Sequence, residues 1–248
     1  MKFIKVLFLA LLVVTQNTSA QEIKKDSAQK IDKNIVKINL IGFSINGQYE
    51  RILSKRISVS LSYRLLPSGK FLFRGLIPTT DPQARESRNN LIVSNSAITP
   101  EVRFYLGKKG YGQGFYLAPF FRSAKYGGEG IGIDFTLDNG QSATFNMEGN
   151  IKTNTYGLLL GAQLKLGKNF WLDWQILGPN YGSATGTITG KSNIALSRNE
   201  RTSLQNALND ITIPFVTKNI SVSPNEAILS LKGPWAGLRT GLSLGFGF

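Results

Sequence analysis

The feature that most constrains this chain is an alternation of apolar residues with small or polar ones, at a period of two. It is clearest in the last twelve residues, GLRTGLSLGFGF, where every second side chain from Leu238 to Phe248 is apolar except Thr240. The residues between them are glycine, serine or arginine. Successive side chains of a β-strand point to opposite faces of a sheet, so this segment predicts a strand with one apolar and one polar face.

The same alternation recurs in segments that are spread along the chain. They are RISVSLSYRL (56–65), AITPEVRFYLG (97–107), NTYGLLLGAQLKLG (154–167) and FWLDWQI (170–176), and FYLAPFFRSAKY (115–126) is also strand-like. Residues 34–53 change phase near Gly42 or Asn46-Gly47, which predicts two short strands joined by a turn or bulge. The strands then number eight. If residues 34–53 formed a single strand, there would be seven strands, and the N-terminal end would lie on the side opposite the short turns.

The predicted connections alternate between short and long. The short ones are 54–55, 107–113 and 167–169, and the long ones are 66–97, 127–150 and 178–233. An even number of strands with this alternation is typical of bacterial outer-membrane barrels. We therefore predict an all-β fold, an eight-stranded antiparallel up-and-down transmembrane β-barrel with long extracellular loops and one short loop helix.

Two of the long connections carry structural signals of their own. Residues 131–145 alternate around Asp138-Asn139-Gly140, which predicts a hairpin rising above the barrel. Ser197 and Glu200 form a capping-box pattern before apolar residues at helical spacing, which predicts a helix near 198–210.

The N-terminal twenty residues have the pattern of a secretory signal peptide. Lys2 and Lys5 precede an apolar run over 6–14, and small residues end the segment at Ala20. We expect cleavage near Ala20, a polar leader over 21–33 and a single barrel domain over 34–248. The expected location is the bacterial outer membrane.

The chain has no cysteine and no histidine, and its formal net charge is +14. These absences exclude disulfides, thiol nucleophiles, Ser-His-Asp triads and imidazole metal ligands. The basic residues are dispersed, which favours contact with anionic outer-membrane lipids and lipopolysaccharide over nucleic acid. We expect no catalysis, no cofactor, no metal and a monomer.

In a membrane barrel the polar face of each strand lines the lumen, and buried charges there must pair. We predict a lumen charge network made of Glu50, Arg64, Glu101, Arg103, Arg122, Asp173 and Arg239. Two alternatives remain: these charges are solvated on a half-exposed sheet, or Glu50 and Glu101 form an acid–base pair. Aromatic residues near strand ends fit an interfacial girdle, namely Tyr63, Tyr156, Phe170, Trp174, Phe246 and Phe248.

Several segments carry a family resemblance: VKINLIG, GQYER, SVSLSYR, ITPEVRFYLG and GFYLAPFFR. They resemble a family of small bacterial outer-membrane barrel proteins described as a domain of unknown function, over 34–126, 150–177 and the C-terminal strand. The chain end resembles the signal read by the barrel-assembly machinery, with Leu242, Leu244, Phe246 and Phe248 as its residues. The resemblance implies a fold, a location and that assembly partner, and it supplies no catalytic residues.

We therefore expect an outer-membrane barrel with a filled lumen and a structural or binding role through its extracellular loops. A narrow channel or transporter for small solutes is one alternative. A soluble periplasmic barrel that holds an apolar ligand is the other.

Overall fold

A computed structural model describes residues 32–40, 44–70, 89–137 and 140–248 of the chain. Within them lie nine strands and one helix of thirteen residues. The elements are β1 (Asn34–Asn39), β2 (Ile45–Ile52), β3 (Ile57–Lys70), β4 (Ile92–Tyr105), β5 (Gly114–Thr136), β6 (Ser142–Lys165), β7 (Phe170–Ser192), α1 (Arg198–Asp210), β8 (Thr217–Val222) and β9 (Glu226–Gly247). No helix in this part of the chain is both long and apolar enough to cross a membrane.

The sheet closes on itself in a ring of eight strands. Strands β1 to β7 pair with their neighbours in sequence order, β7 pairs with β9, and β9 returns to β1, all antiparallel. Backbone bonds between Asn34 and Phe248 (3.1 and 2.9 Å) tie the two chain ends together at the seam. Strand β8 stands outside the ring and pairs with the first part of β9.

The predicted division of residues 34–53 into two strands is confirmed, and so is the count of eight. Strands β1 and β2 pair antiparallel, with Ile38 opposite Gly47 and Asn34 opposite Arg51. The connection between them includes residues 41–43, which lie outside the described residues. This division brings Asn34 and Phe248 to the end of the ring that holds the short connections.

The bounds of the predicted long loops were wrong, because the strands run far into them. Strand β3 continues to Lys70, β4 begins at Ile92, and residues 71–88 lie outside the described residues. Strands β7 and β9 pair throughout 178–191 and 226–239, inside the predicted loop 178–233. Residues 178–191 of β7 alternate largely between glycine and hydroxyl residues and have no apolar face. The sequence therefore has no hydrophobic pattern there that predicts a strand.

The hairpin and helix predicted above the ring are confirmed. Strands β5 and β6 stay paired up to Thr136 and Ser142, around a turn in which Gly140 has a φ of +81°. Helix α1 begins after Ser197, whose side chain caps the Glu200 amide while the Glu200 carboxylate accepts the Ser197 amide (2.8 Å). Lys218 of β8 donates to carbonyl groups near the C-terminal end of α1, where the helix dipole favours a cation.

The predicted signal peptide lies outside the described residues, as does the leader up to residue 31. Asp32 and Lys33, the last two residues of the predicted leader, contact the ring. Asp32 is buried and pairs with Lys165 (2.7 Å), and the Lys33 carbonyl accepts the Ile52 amide (2.8 Å).

Large interior side chains lie opposite small residues on the neighbouring strand. Tyr116 is paired in register with Gly161, and Phe120 with Gly157. A Cβ atom at Gly161 would lie 2.3 Å from the Tyr116 ring, and one at Gly157 would lie 2.4 Å from the Phe120 ring. The interior therefore has room for these rings only where glycine faces them.

We expect Gly161→Ala to destabilise the fold by about 2 kcal/mol, since the added methyl group must displace the packed Tyr116 ring. The measurement is denaturant unfolding of the purified protein, followed by circular dichroism. Gly47→Ala is the matched control, because no atom lies within 4 Å of a Cβ there. Equal midpoints for the two variants would contradict this account of the interior.

Candidate functional site: the charged interior of the ring

The interior of the ring is polar and charged. Lys37, Glu50, Arg103 and Asp173 are at most 1% exposed, although each bears an ionisable group. Each lies on the face of its strand opposite the apolar side chains, as the period of two requires. The closed ring therefore removes these charges from solvent.

Six charged side chains form one connected cluster, which we call the core network. They are Lys37, Glu50, Glu101, Arg103, Asp173 and Arg239. Three are cations and three are carboxylates, so the network is neutral. Because an unpaired buried ion costs several kcal/mol, this balance is what makes burial of all six possible.

Arg103 of β4 is the centre of the core network. Its guanidinium group contacts all three carboxylates, Glu101 at 2.6 Å, Asp173 at 2.7 Å and Glu50 at 3.2 Å. It also lies over the Tyr116 ring, with 4.4 Å from Cζ to the ring centroid. A planar group with five donors can satisfy several acceptors at once, which a lysine ammonium in this place could not do with the same geometry.

Lys37 of β1 brings the first strand into the same network. Its Nζ atom contacts the Glu50 carboxylate and the Gln163 side-chain carbonyl, and it lies 2.7 Å from Asp173. Its register partner on β9 is Gly245, whose lack of a side chain leaves room for the lysine stem. Lys37 thus connects β1 to side chains of β2, β6 and β7.

Neutral side chains supply the remaining hydrogen bonds of the carboxylates. Tyr105 donates to Glu50 (2.6 Å), Tyr116 donates to Asp173 (2.7 Å), and the Gln48 amide donates to Glu101 (3.0 Å). Charge-assisted bonds of this kind are stronger than bonds between neutral groups. The carboxylates are therefore held by both cations and neutral donors.

Every strand of the ring contributes a side chain to this set of contacts. In ring order they are Lys37, Glu50, Ser58, Arg103, Tyr116, Gln163, Asp173 and Arg239. Ser58 of β3 donates to Glu50, and Gln163 of β6 accepts from Arg103 (2.9 Å). The core network and its neutral hydrogen-bond partners therefore connect all eight strands through side chains, in addition to the backbone ladder.

The structure brings together five of the seven side chains predicted to form a lumen network, namely Glu50, Glu101, Arg103, Asp173 and Arg239. The other two, Arg64 and Arg122, are half-buried and lie further along the interior, on β3 and β5. Glu50 and Glu101 both contact Arg103, which favours the salt-bridge interpretation over the acid–base pair.

Sequence reasoning missed Lys37, although a signal for it was present. Val36, Ile38 and Leu40 form the apolar face of β1, so Lys37 had to face the other way. Tyr105 and Tyr116 were missed as well, because a tyrosine in an alternating strand does not reveal whether its hydroxyl group is buried.

The opposite face of the ring is apolar and exposed. Leu158 is 50% exposed, Leu160 37% and Leu244 39%, and Leu242 is half-buried. The same outward face includes Val36, Ile38, Val59, Leu61, Ile98, Val102, Phe104, Leu164, Trp174 and Phe246. The usual arrangement of a soluble protein, with apolar side chains inside and charges outside, is therefore inverted.

The described residues hold no group of three or more carboxylates placed to bind a metal ion. Asp134 accepts a hydrogen bond from Thr144 (2.7 Å), and Glu148 pairs with Lys191 (3.5 Å). Comparison with known proteins adds no functional assignment: no protein-family model matches the chain, and no curated protein matches it.

We expect Arg103→Met to destabilise the protein by about 3–5 kcal/mol, because it leaves buried carboxylates without their shared cation. Lys191→Met is the control, since Lys191 and Glu148 are 62% and 48% exposed and such a pair contributes at most about 1 kcal/mol. Denaturant unfolding of both variants measures the difference. A loss below about 1 kcal/mol for Arg103→Met would show that the network is not needed for stability.

Proposed function

We propose that this chain is an outer-membrane β-barrel protein with a filled lumen and a structural or binding role at its outer end. The observation that carries the proposal is the inverted polarity of the ring, whose outward face is apolar and whose interior holds a neutral charge network. Lipid is a favourable solvent for such an outward face, and water is not. A closed ring also leaves no unpaired strand edge, which a bilayer would not tolerate.

The height of the apolar face agrees with this proposal. On β6 and the residue directly after it, the exposed apolar side chains run from Tyr156 to Leu166. Ten residue steps at about 3.3 Å each give about 33 Å of strand, or about 25 Å along the axis at a tilt of about 40°. The outward band of outer-membrane barrels is about 25 Å tall.

Aromatic side chains are exposed near both ends of this band. Tyr63, Tyr156 and Tyr181 lie towards the long hairpins, and Phe170 and Phe246 lie at the short turns, with their rings 5.9 Å apart. Such rings favour the boundary between lipid and water. Phe246 and Phe248 also end the segment that we propose as the signal for the barrel-assembly machinery.

The same geometry favours a filled barrel over the narrow channel. The core network occupies the interior near the short turns, where Arg103, Glu50 and Asp173 meet across the ring. An interior of this polarity also gives no support to a soluble barrel that carries an apolar ligand. The binding role is proposed for the hairpins, α1 and β8, which extend beyond the apolar band and face lipopolysaccharide in this orientation.

In cells that express the full chain, we expect the protein to sediment with outer membranes and to require detergent for extraction. Leu160→Arg should strongly reduce the folded, membrane-inserted fraction, because an arginine facing lipid near the middle of the band costs about 2–4 kcal/mol. Thr187→Arg is the matched control, since Thr187 is exposed on β7 beyond the band. Recovery of the unaltered protein in the soluble periplasm would overturn the proposal.

In planar bilayers we expect the purified protein to insert without producing discrete conductance steps, because side chains of the core network meet across the interior. The double substitution Arg103→Ala with Asp173→Ala opens space in the ring interior at the level of the core network. Conductance from the unaltered protein would favour the channel alternative.

A further inference from the structure

The ring contains a second interior feature, a cavity beyond the core network on the side of the long hairpins. Its volume is about 240 Å3. Arg64, Arg122 and Arg239 line it, together with polar side chains that include Thr155, Gln175 and Asn180. A single water molecule needs only about 10–15 Å3 of volume on this measure. The cavity is therefore large enough for a small solute.

The cavity carries an excess of positive charge. Three arginines line it, and none of the described residues in its wall is acidic. Arg64 donates to the Ser44 hydroxyl (2.8 Å), and Arg122 has a long contact with the Thr99 hydroxyl (3.4 Å). The described interior thus holds the neutral core network, the Lys165–Asp32 pair near the short turns and two further cations, Arg64 and Arg122, whose hydrogen-bond partners here are neutral.

Arg239 supplies a second observation at the cavity. It is 9% exposed, and one of its terminal nitrogens contacts Glu101. The other, Nη2, is buried and has no hydrogen-bond partner. A buried donor without an acceptor costs about 1–3 kcal/mol, more for a charged group, so an acceptor in the cavity would be bound favourably.

We propose that this cavity binds a small divalent oxyanion, of which inorganic phosphate is the simplest member. Guanidinium groups bind phosphate and related oxyanions through paired N–H donors, and two excess cations match a charge of −2. Thr155 and Asn180 also line the cavity, and their side-chain donors have long contacts with backbone carbonyl groups, 3.5 Å to Arg122 and 3.4 Å to Gly178. This proposal goes beyond the membrane role and holds for the folded ring whether or not it lies in a bilayer.

The position of the cavity favours a free anion over a lipid head group. The cavity lies inside the ring, while acyl chains would contact its outward face. Tyr126 and Trp235 also line the cavity, with ring centroids 5.4 Å apart. Each lies four residues beyond an arginine, Arg122 and Arg239 respectively, towards the hairpins. A small anion can pass beside this aromatic pair more easily than a head group attached to a membrane.

Isothermal titration of the refolded protein with sodium phosphate, in non-ionic detergent at constant ionic strength, tests the proposal. We expect saturable binding, and a loss of about tenfold or more for Arg122→Gln, because each bond to a charged group contributes about 1.5–3 kcal/mol. Arg64→Gln should have a similar effect. Lys152→Gln is the charge-matched control, since Lys152 is exposed next to Thr153 in the wall, and its affinity should stay within about twofold.

Thermal unfolding keeps the test decisive if an arginine variant fails to fold. Phosphate at millimolar concentration should raise the midpoint of the unaltered protein, while chloride at equal ionic strength should not. The proposal would be overturned if 10 mM phosphate gave neither a heat of binding nor a higher unfolding midpoint. It would also be overturned if Lys152→Gln weakened phosphate binding as much as the arginine variants do. Loss of phosphate binding in the presence of lipopolysaccharide would overturn the assignment to a free anion.

Discussion

The ring depends on the pairing of charges in its interior. Arg103 contacts three carboxylates that come from β2, its own strand β4 and β7, and Lys37 links β1 to two of them. Loss of β1, β2, β7 or β9 would remove one ion from this neutral set and leave a net charge among the buried ions that remain, which is unfavourable. The charges therefore favour full closure over partly closed arrangements, a form of specificity that apolar contacts, which have no direction, would not supply.

This use of the interior explains why small residues are so regular on the polar face. Arg103 is opposite Ser58, Glu101 opposite Ser60 and Asp173 opposite Ser243 across their strand pairs. An eight-stranded ring has an interior only wide enough for side chains, so each long group needs a short neighbour. The outward face has no such requirement, since its leucines and aromatics contact no second layer formed by the described residues. The alternation in the sequence therefore reflects two requirements, small residues beside the long interior groups and apolar residues on the outward face.

The positions of the strands, and which of their side chains point inward, could be predicted because the alternation is a local pattern. The capping box of α1 and the turn at Gly140 are also local patterns, so they could be predicted too. The extent of β7 and β9 could not, because Gly-Thr repeats beyond the apolar band have no burial pattern and take their structure from pairing with each other. Five residues of the core network could be identified only from the polar face on which they lie. The pairing of each carboxylate with its cation could not be predicted, because Arg103 and Asp173 lie on strands that are not neighbours in the ring.

The two parts of the interior differ in a way that separates stability from binding. In the core network each cation contacts at least one carboxylate, and the contacts cross the ring. In the cavity, Arg64 donates to the hydroxyl group of Ser44, which precedes β2, and Arg122 donates to that of Thr99 on β4, so ring closure does not require their charge. Half-burying two such cations near Arg239 is unfavourable in itself, because like charges repel and desolvation is only partly compensated. The carboxylates around Arg103 balance the charge of the core network, whereas no carboxylate of the described residues faces Arg64 or Arg122 in the cavity wall, and this difference in local charge is what the proposed anion site depends on.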